Sequence, residues 1–289
     1  MAGNLEVNNV SASIREIRAI DVHAHYGTFY RDGFTDLRNR FFSGDAKTVL
    51  KRARAANTDV TVVSPLLGLF PRSRSKARVE EANEEAARVV EENDGLRQWV
   101  IIDPRREKTY RQAEQMLKMP KCVGIKIHGE EHTYYLDEHG EAIFAFAAKH
   151  KAVMLAHSGC AHTMPMEFVP FADQYPEVKL IVAHLGHTHE SNGDPTNQVR
   201  AILASRHGNI YTDTSSMKSI MPQLIEWAVD EVGANKLLYG TDAPLYFSPN
   251  QRARIDHAEI SDQQKHMILR ENAVNLLRLD VDSTQSDCS

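Results

Sequence analysis

The chain has little cysteine: Cys122, Cys160 and Cys288 are the only three in 289 residues, with no Cys-x-x-Cys spacing. An odd, sparse set argues against a disulfide framework and for a reducing compartment, with the cytoplasm the expected location. Apolar runs are strand-sized, far short of the roughly 20 residues that span a bilayer, and residues 1–13 lack the apolar stretch of a secretory signal. No basic run stands out and the net charge is only −5, so neither nucleic acid nor an anionic membrane surface is an expected partner. No Pro/Gly/Ser-rich linker or low-complexity segment divides the chain. These absences leave one domain over residues 17–279, with polar tails at 1–16 and 280–289. The expected partner is a small molecule, and a homo-oligomer is compatible with the composition.

What is present is an alternation. Short β-branched runs at residues 19–23, 59–64, 98–103, 122–128, 152–157, 179–184, 209–213 and 236–241 read as eight strands. Most are continuously apolar, as in Val60-Thr61-Val62-Val63 and Leu180-Ile181-Val182-Ala183, which suits parallel strands covered on both faces. Between them, residues 45–56, 76–93, 107–118, 137–150, 195–206 and 217–232 have helical spacing, and 261–279 reads as a closing amphipathic helix. Eight strands alternating with helices predict a single (β/α)8 TIM barrel; a doubly wound open sheet is the alternative.

Polar residues favour the barrel. The first run ends in Asp21-Val22-His23-Ala24-His25, whose two-residue period puts both imidazoles on one face of a strand. The fourth ends in Lys126-Ile127-His128, the fifth in His157, the sixth in His184, the seventh leads into Asp213, and the eighth into Asp242. In a barrel these C-terminal ends converge on one mouth, where active sites sit. Histidines with only core-packing roles would not gather at the same end of so many strands.

On these residues the chain resembles the amidohydrolase superfamily of metal-dependent barrels. Gly124-Ile125-Lys126-Ile127-His128, Tyr239-Gly240-Thr241-Asp242-Ala243-Pro244 and the closing Asn272-Ala273-Val274-Asn275-Leu276-Leu277 are similar to its amidohydrolase-related branch, which contains aminocarboxymuconate-semialdehyde decarboxylase. The resemblance implies His23, His25, His157 and Asp242 as metal ligands, with Asp242 also carrying a proton and His184 orienting or polarising the substrate. It implies a divalent ion, zinc first, with manganese, iron or cobalt as alternatives, and one ion rather than two. Lys126 and His128 share a strand face and are candidates for additional roles. Lys126 is either a carbamylated ligand bridging two metals or a buried lysine paired with an acid, and His128 an extra ligand or a substrate contact.

Other residues read more plainly. His187 and His189 fall beyond the sixth strand and are expected in an exposed loop. His132, His139 and His150 are expected at the surface, and Cys160 as a packing thiol. The long segment 26–44 mixes Phe29, Tyr30, Phe34, Phe41 and Phe42 with Arg31, Arg38 and Arg40. It is expected to cover the mouth and to set specificity, with an arginine available to an anionic, carboxylate-bearing substrate. The resemblance puts a metal-dependent hydrolase of amide, lactone or ester-like bonds first. A metal-dependent decarboxylase on the same barrel comes second, and a non-catalytic metal-binding barrel third.

Overall fold

Apolar runs with no polar face cannot lie against water, so each is buried on both sides. In the computed structural model, which describes residues 11–70, 77–189 and 193–280, they form one eight-stranded parallel sheet in sequential order. The strands are β1 (Ala19–Tyr26), β2 (Thr58–Pro65), β3 (Leu96–Ile101), β4 (Cys122–Ile127), β5 (Val153–Ala156), β6 (Leu180–Val182), β7 (Ile210–Asp213) and β8 (Leu237–Leu238). Helices follow between them, among them Ala46–Ala55, Val79–Glu91, Leu136–His150 and Asn197–Ala204. The fold is the expected (β/α)8 barrel. Asp45 caps its helix by accepting from the Thr48 amide at 2.8 Å.

The alternation along each strand divides inside from outside. On β4, Ile125 and Ile127 pack with Ile143, Phe144 and Ala147 of the helix Leu136–His150, which leaves Lys126 facing the barrel interior. Below the mouth the barrel is filled by Ile20, Val22, Val62, Leu155, Ile181 and Leu238 around Trp99. Trp99 is fully buried, and its indole N–H is satisfied by the Val22 carbonyl at 2.8 Å.

Closure between β8 and β1 is irregular. Regular pairing of β8 stops at Leu238, well short of the expected 241. The barrel is shut instead by Val22 N–H to Tyr239 O (2.9 Å), Asp242 N–H to His23 O (2.7 Å) and a bridge between Ala24 and Ala243. The Asp21 carboxyl ties the seam from inside. Its Oδ1 accepts from the amides of His23 and Thr241, each at 3.0 Å, and its Oδ2 lies 2.5 Å from Thr241 Oγ1. Burial pushes Asp21 up to about 8, so it is a neutral acid at neutral pH.

Two expected helices are broken. Residues 217–232 split into a 3-10 turn (Met217–Ile220) and a helix (Leu224–Val232), because Gln223 takes a left-handed backbone at φ +62°. Residues 261–279 become Asp262–His266, a π segment Met267–Glu271 and Asn272–Leu277. A helix at Ser248–Asp256 lies where no element was expected. The tail at 1–10 and the tail from 281, with Cys288, lie outside the described residues; 11–16 carry a short helix, Ala12–Glu16. No described helix is long and apolar enough to cross a membrane.

Asp21→Ala is expected to lower stability by about 3 kcal/mol by stranding buried amides of β1 and β8. Asp21→Asn, an isostere of the neutral acid, should stay within about 1 kcal/mol of the parent. Urea unfolding of both variants checks this, and equal losses would remove the seam role.

Candidate metal centre

The two-residue period of β1 turns His23 and His25 together into the mouth, and the pairing with β2 is irregular between Asp21 and Ala24. Both are almost fully buried. Each ring is held through Nδ1. His25 Nδ1–H donates to the Ser64 carbonyl of β2 at 2.9 Å, and His23 Nδ1–H donates to Asp213 Oδ2 at the end of β7 at 3.0 Å. Each Nε2 is therefore left with a lone pair. Both lone pairs face Asp242 Oδ1, at 3.0 Å from His25 and 3.6 Å from His23.

Asp242 Oδ1 is itself buried with no hydrogen-bond partner among the described residues. Three lone-pair donors thus converge with the Lys126 ammonium as the one proton donor beside them, an arrangement that a cation satisfies. Two ligands about 2.05 Å from a tetrahedral ion lie about 3.3 Å apart. The two observed separations fall on either side of that value. Burial pulls His23 down to about 4, keeping it a neutral ligand. Burial works to raise Asp242, but His25, His23 and Lys126 outweigh it and hold the carboxylate below its ordinary value. Lys126 Nζ donates to His23 Nε2 at 2.9 Å and places positive charge where the cluster calls for it. Burial brings Lys126 down to about 8. The residues fit a divalent metal.

A second layer of ordering starts at Asp213. Burial works to raise this carboxyl too, and His23 and Ser215 outweigh that, so it is held ionised. Its Oδ1 accepts the Ser215 hydroxyl proton and the His184 amide. Having given away its only proton, Ser215 Oγ must accept from His184 Nδ1–H, at 2.7 Å. His184 Nε2 is then an acceptor, and His157 Nδ1–H donates to it at 3.0 Å. One carboxylate thereby sets the tautomers of three histidines. His184 and Asp242 both hold left-handed backbones, at φ +72° and +55°, the kind of strain that collects at functional sites.

His23, His25 and Asp242 are brought into one cluster, and His184 stands beside it, its ring centroid 4.7 Å from that of His23. His157 faces the same pocket but points its nitrogens at His184 and, at 3.2 Å, at Cys160 Sγ. His128 stacks on His157 with centroids 3.9 Å apart and accepts from the Glu131 amide through Nδ1. Asp213 and Ser215 had no role assigned from sequence; the position of Asp213 at a strand end was the available signal.

Two expectations are corrected and a third is refined. His132 is fully buried, its Nε2–H donated to the Gly68 carbonyl at 2.9 Å, because the short helix Gly129–His132 turns it inward. His187 is half-buried in the pocket wall, since the turn through Gly186 folds back over the mouth, while His189 is exposed. Cys160 is buried as expected, yet it packs against two imidazoles instead of apolar side chains alone.

The metal pocket is a cavity of about 200 Å³. It adjoins a larger chamber of about 750 Å³, with His189, Leu245 and Tyr246 in both walls. Phe29, Phe34 and Phe42, from the segment between β1 and β2, line the chamber, and Gly27 and Gly44 pair to pin that segment at its base. Arg38 lies 3.5 Å over the Phe34 ring at the chamber wall, whereas Arg31 is ion-paired with Glu131.

The fold and the site together define a (β/α)8 barrel whose mouth carries a His/Asp cluster that fits a divalent metal. The chain belongs to the amidohydrolase family, whose sequence profile matches residues 20–279. Similar solved structures include a 2,6-dihydroxybenzoate decarboxylase from Rhizobium, with TM-score 0.72 and 15% identity over 91% of this chain and 99% of that one. A dihydroxybenzoic acid decarboxylase from Polaromonas sp. JS666, with manganese and 2-nitroresorcinol bound, has TM-score 0.70 and 15% identity over 93% and 99%. A 5-carboxyvanillate decarboxylase from Sphingomonas paucimobilis has TM-score 0.67 and 12% identity over 91% and 99%. None of the curated proteins compared with the chain matches it.

Asp213→Asn should weaken divalent-metal affinity about 10- to 100-fold by disordering the ring proton assignments. Competition against a chromophoric chelator measures this, and parent-like affinity would show that Asp213 does not govern the ligands.

Proposed function

We propose that the protein is a metal-dependent decarboxylase of a small organic acid with an apolar, aromatic-sized body. The observation that carries this reading is the two-part site: a polar pocket built on His23, His25 and Asp242, opening beside an aromatic chamber. The decarboxylase names of the similar structures support the same choice, since they act on ring-bearing acids and one of them holds manganese. Hydrolysis, placed first on sequence, becomes the second reading, favoured by the bare carboxylate of Asp242, which could equally draw a proton from water.

A divalent ion held by His23, His25 and Asp242, manganese or zinc, would supply Lewis-acid stabilisation of negative charge on the substrate. The remaining work falls to the chain. Lys126 adds fixed positive charge beside His23 and favours an anionic substrate head. Phe29, Phe34 and Phe42 hold the body and displace water from it. His184, both nitrogens committed to Ser215 and His157, would offer the acid a ring face held in one orientation beside the cluster. In the reaction the carbon–carboxylate bond breaks, carbon dioxide leaves, and the electron pair left on carbon takes a proton. That proton comes from solvent, and Asp242, beside both imidazoles, is placed to relay it.

Metal-loaded protein offered a panel of hydroxylated aromatic acids should release carbon dioxide without incorporating labelled solvent oxygen into the organic product. Asp242→Asn should lower kcat by about 10²- to 10⁴-fold with the fold intact by circular dichroism. Turnover of lactones or amides with oxygen incorporation, and none of the acids, would replace this reading with hydrolysis.

A further inference from the structure

The helix Ser248–Asp256, which follows β8 and carries a proline in its first turn, has no part in the proposed reaction. Its rotation is fixed by Arg252. That guanidinium donates to the Ile14 carbonyl (2.7 Å), the Ile17 carbonyl (2.8 Å) and Asp256 Oδ1 (2.7 Å). Ile255 packs with Ala258 and Ile268 in the apolar cluster beneath. Held in this way, the helix turns Gln251 into the wall of the aromatic chamber, where it is almost fully buried.

One end of the Gln251 amide is committed. Its Nε2–H donates to the Ser216 carbonyl at 2.9 Å, and Ser216 lines the metal pocket. A carbonyl only accepts, so the amide nitrogen must face Ser216 and the oxygen must face the other way. That oxygen, Oε1, is buried with no hydrogen-bond partner among the described residues. Met217, Ile220 and Leu245 beside it in the chamber wall have no side-chain proton to give, and Arg38 is placed over the Phe34 ring. A buried acceptor left in this state costs free energy that a donor brought in by a ligand recovers.

We propose that Gln251 sets specificity by accepting a hydrogen bond from a hydroxyl or amino group on the body of the substrate, away from the acid group at the metal pocket. The substrate class narrows to ring-bearing acids that carry such a donor. An ether oxygen in the same place has no hydrogen to give and leaves Oε1 stranded. Arg38 cannot make this distinction, because a guanidinium only donates and serves hydroxyl and ether oxygens alike. The role rests on the chamber being the seat of the ring, as in the proposed function, and it concerns binding, not the fate of the carboxylate.

Calorimetry on manganese-loaded protein tests it with meta- and para-hydroxybenzoate, the matching aminobenzoates and the methyl ethers of the hydroxybenzoates. At one ring position or both, the parent should bind a donor-bearing acid about tenfold or more tightly than the ether. Gln251→Met, similar in volume and without the amide oxygen, should bring donor and ether level while holding the ether as the parent does. A merely structural glutamine would weaken all of the acids alike. Should Gln251→Met fail to fold, the comparison within the parent decides. Ethers held as tightly as donors at both positions, a preference that survives Gln251→Met, or no binding of either series would overturn the proposal. Acids bound with the expected preference yet never decarboxylated would sink the decarboxylase reading and leave the role of Gln251 in place.

Discussion

The arrangement of the mouth depends on one buried anion, Asp213. Placing an ionised carboxylate out of water is costly unless it is fully hydrogen-bonded, and here the cost is offset by His23, Ser215 and the His184 and Ser215 amides. Each of these bonds fixes a proton. An acceptor that fills Ser215's single donor forces His184 to give its Nδ1 proton, and His184 in turn forces His157. The Nε2 atoms of His23, His184 and His157 are consequently all acceptors, that of His184 taken up by His157 Nδ1–H. Were Asp213 neutral, its own proton could take either direction along this chain, and the rings would lose a unique tautomer. The metal-binding character of β1 is thus decided partly on β7, across the barrel seam.

Backbone strain is the second element of this design. Non-glycine residues in the left-handed region cost of order 1–3 kcal/mol in constrained sites, and both His184 and Asp242 are there. The amide of Asp242 is pinned to the His23 carbonyl, and the His184 amide to Asp213. These bonds let the chain just past β6 and β8 turn His184 and Asp242 inward, away from the alternation that regular strands would impose. The shortness of β8 follows: the chain leaves the ladder at Tyr239 so that Asp242 can reach the rings of β1.

What could be read from the sequence was whatever depends on local periodicity. His23 and His25 share a face because strands repeat every two residues, and strand-end positions located His157, His184 and Asp242 at the mouth. The eight-strand alternation led to the barrel for the same reason. Partnerships made across the sheet were not legible. Asp213 acts on His23, 190 positions away, and neither residue's neighbours encode that pairing. Cys160 and His187 meet through two irregular turns whose approach hangs on the left-handed Gly159, so one looked like a packing thiol and the other like a loop histidine. His132 looked like a surface residue because a four-residue helix is too short to show a buried face in its pattern.

The His23/His25/Asp242 cluster would suit the proposed decarboxylation and hydrolysis alike, so its ligands do not choose between them; the surroundings do. Hydrolysis needs a water kept beside the substrate carbonyl, and a polar approach route sustains it. Decarboxylation converts a compact carboxylate into dispersed charge and a neutral gas, and it gains when the acid is moved from water to an environment with fixed dipoles and few mobile ones. The chamber beside the pocket is walled by Phe29, Phe34 and Phe42, and its apolar face continues through Leu245 into the metal pocket. The chamber wall also carries Arg38, Asn250 and Gln251, while the floor of the metal pocket holds Lys126, His184 and Asp242, ordered before any substrate arrives. That separation, an apolar hold for the body and a preorganised charged floor for the acid group, is what decarboxylation asks of a site, and it is produced here by a loop set on a barrel whose strand ends would otherwise suit either reaction.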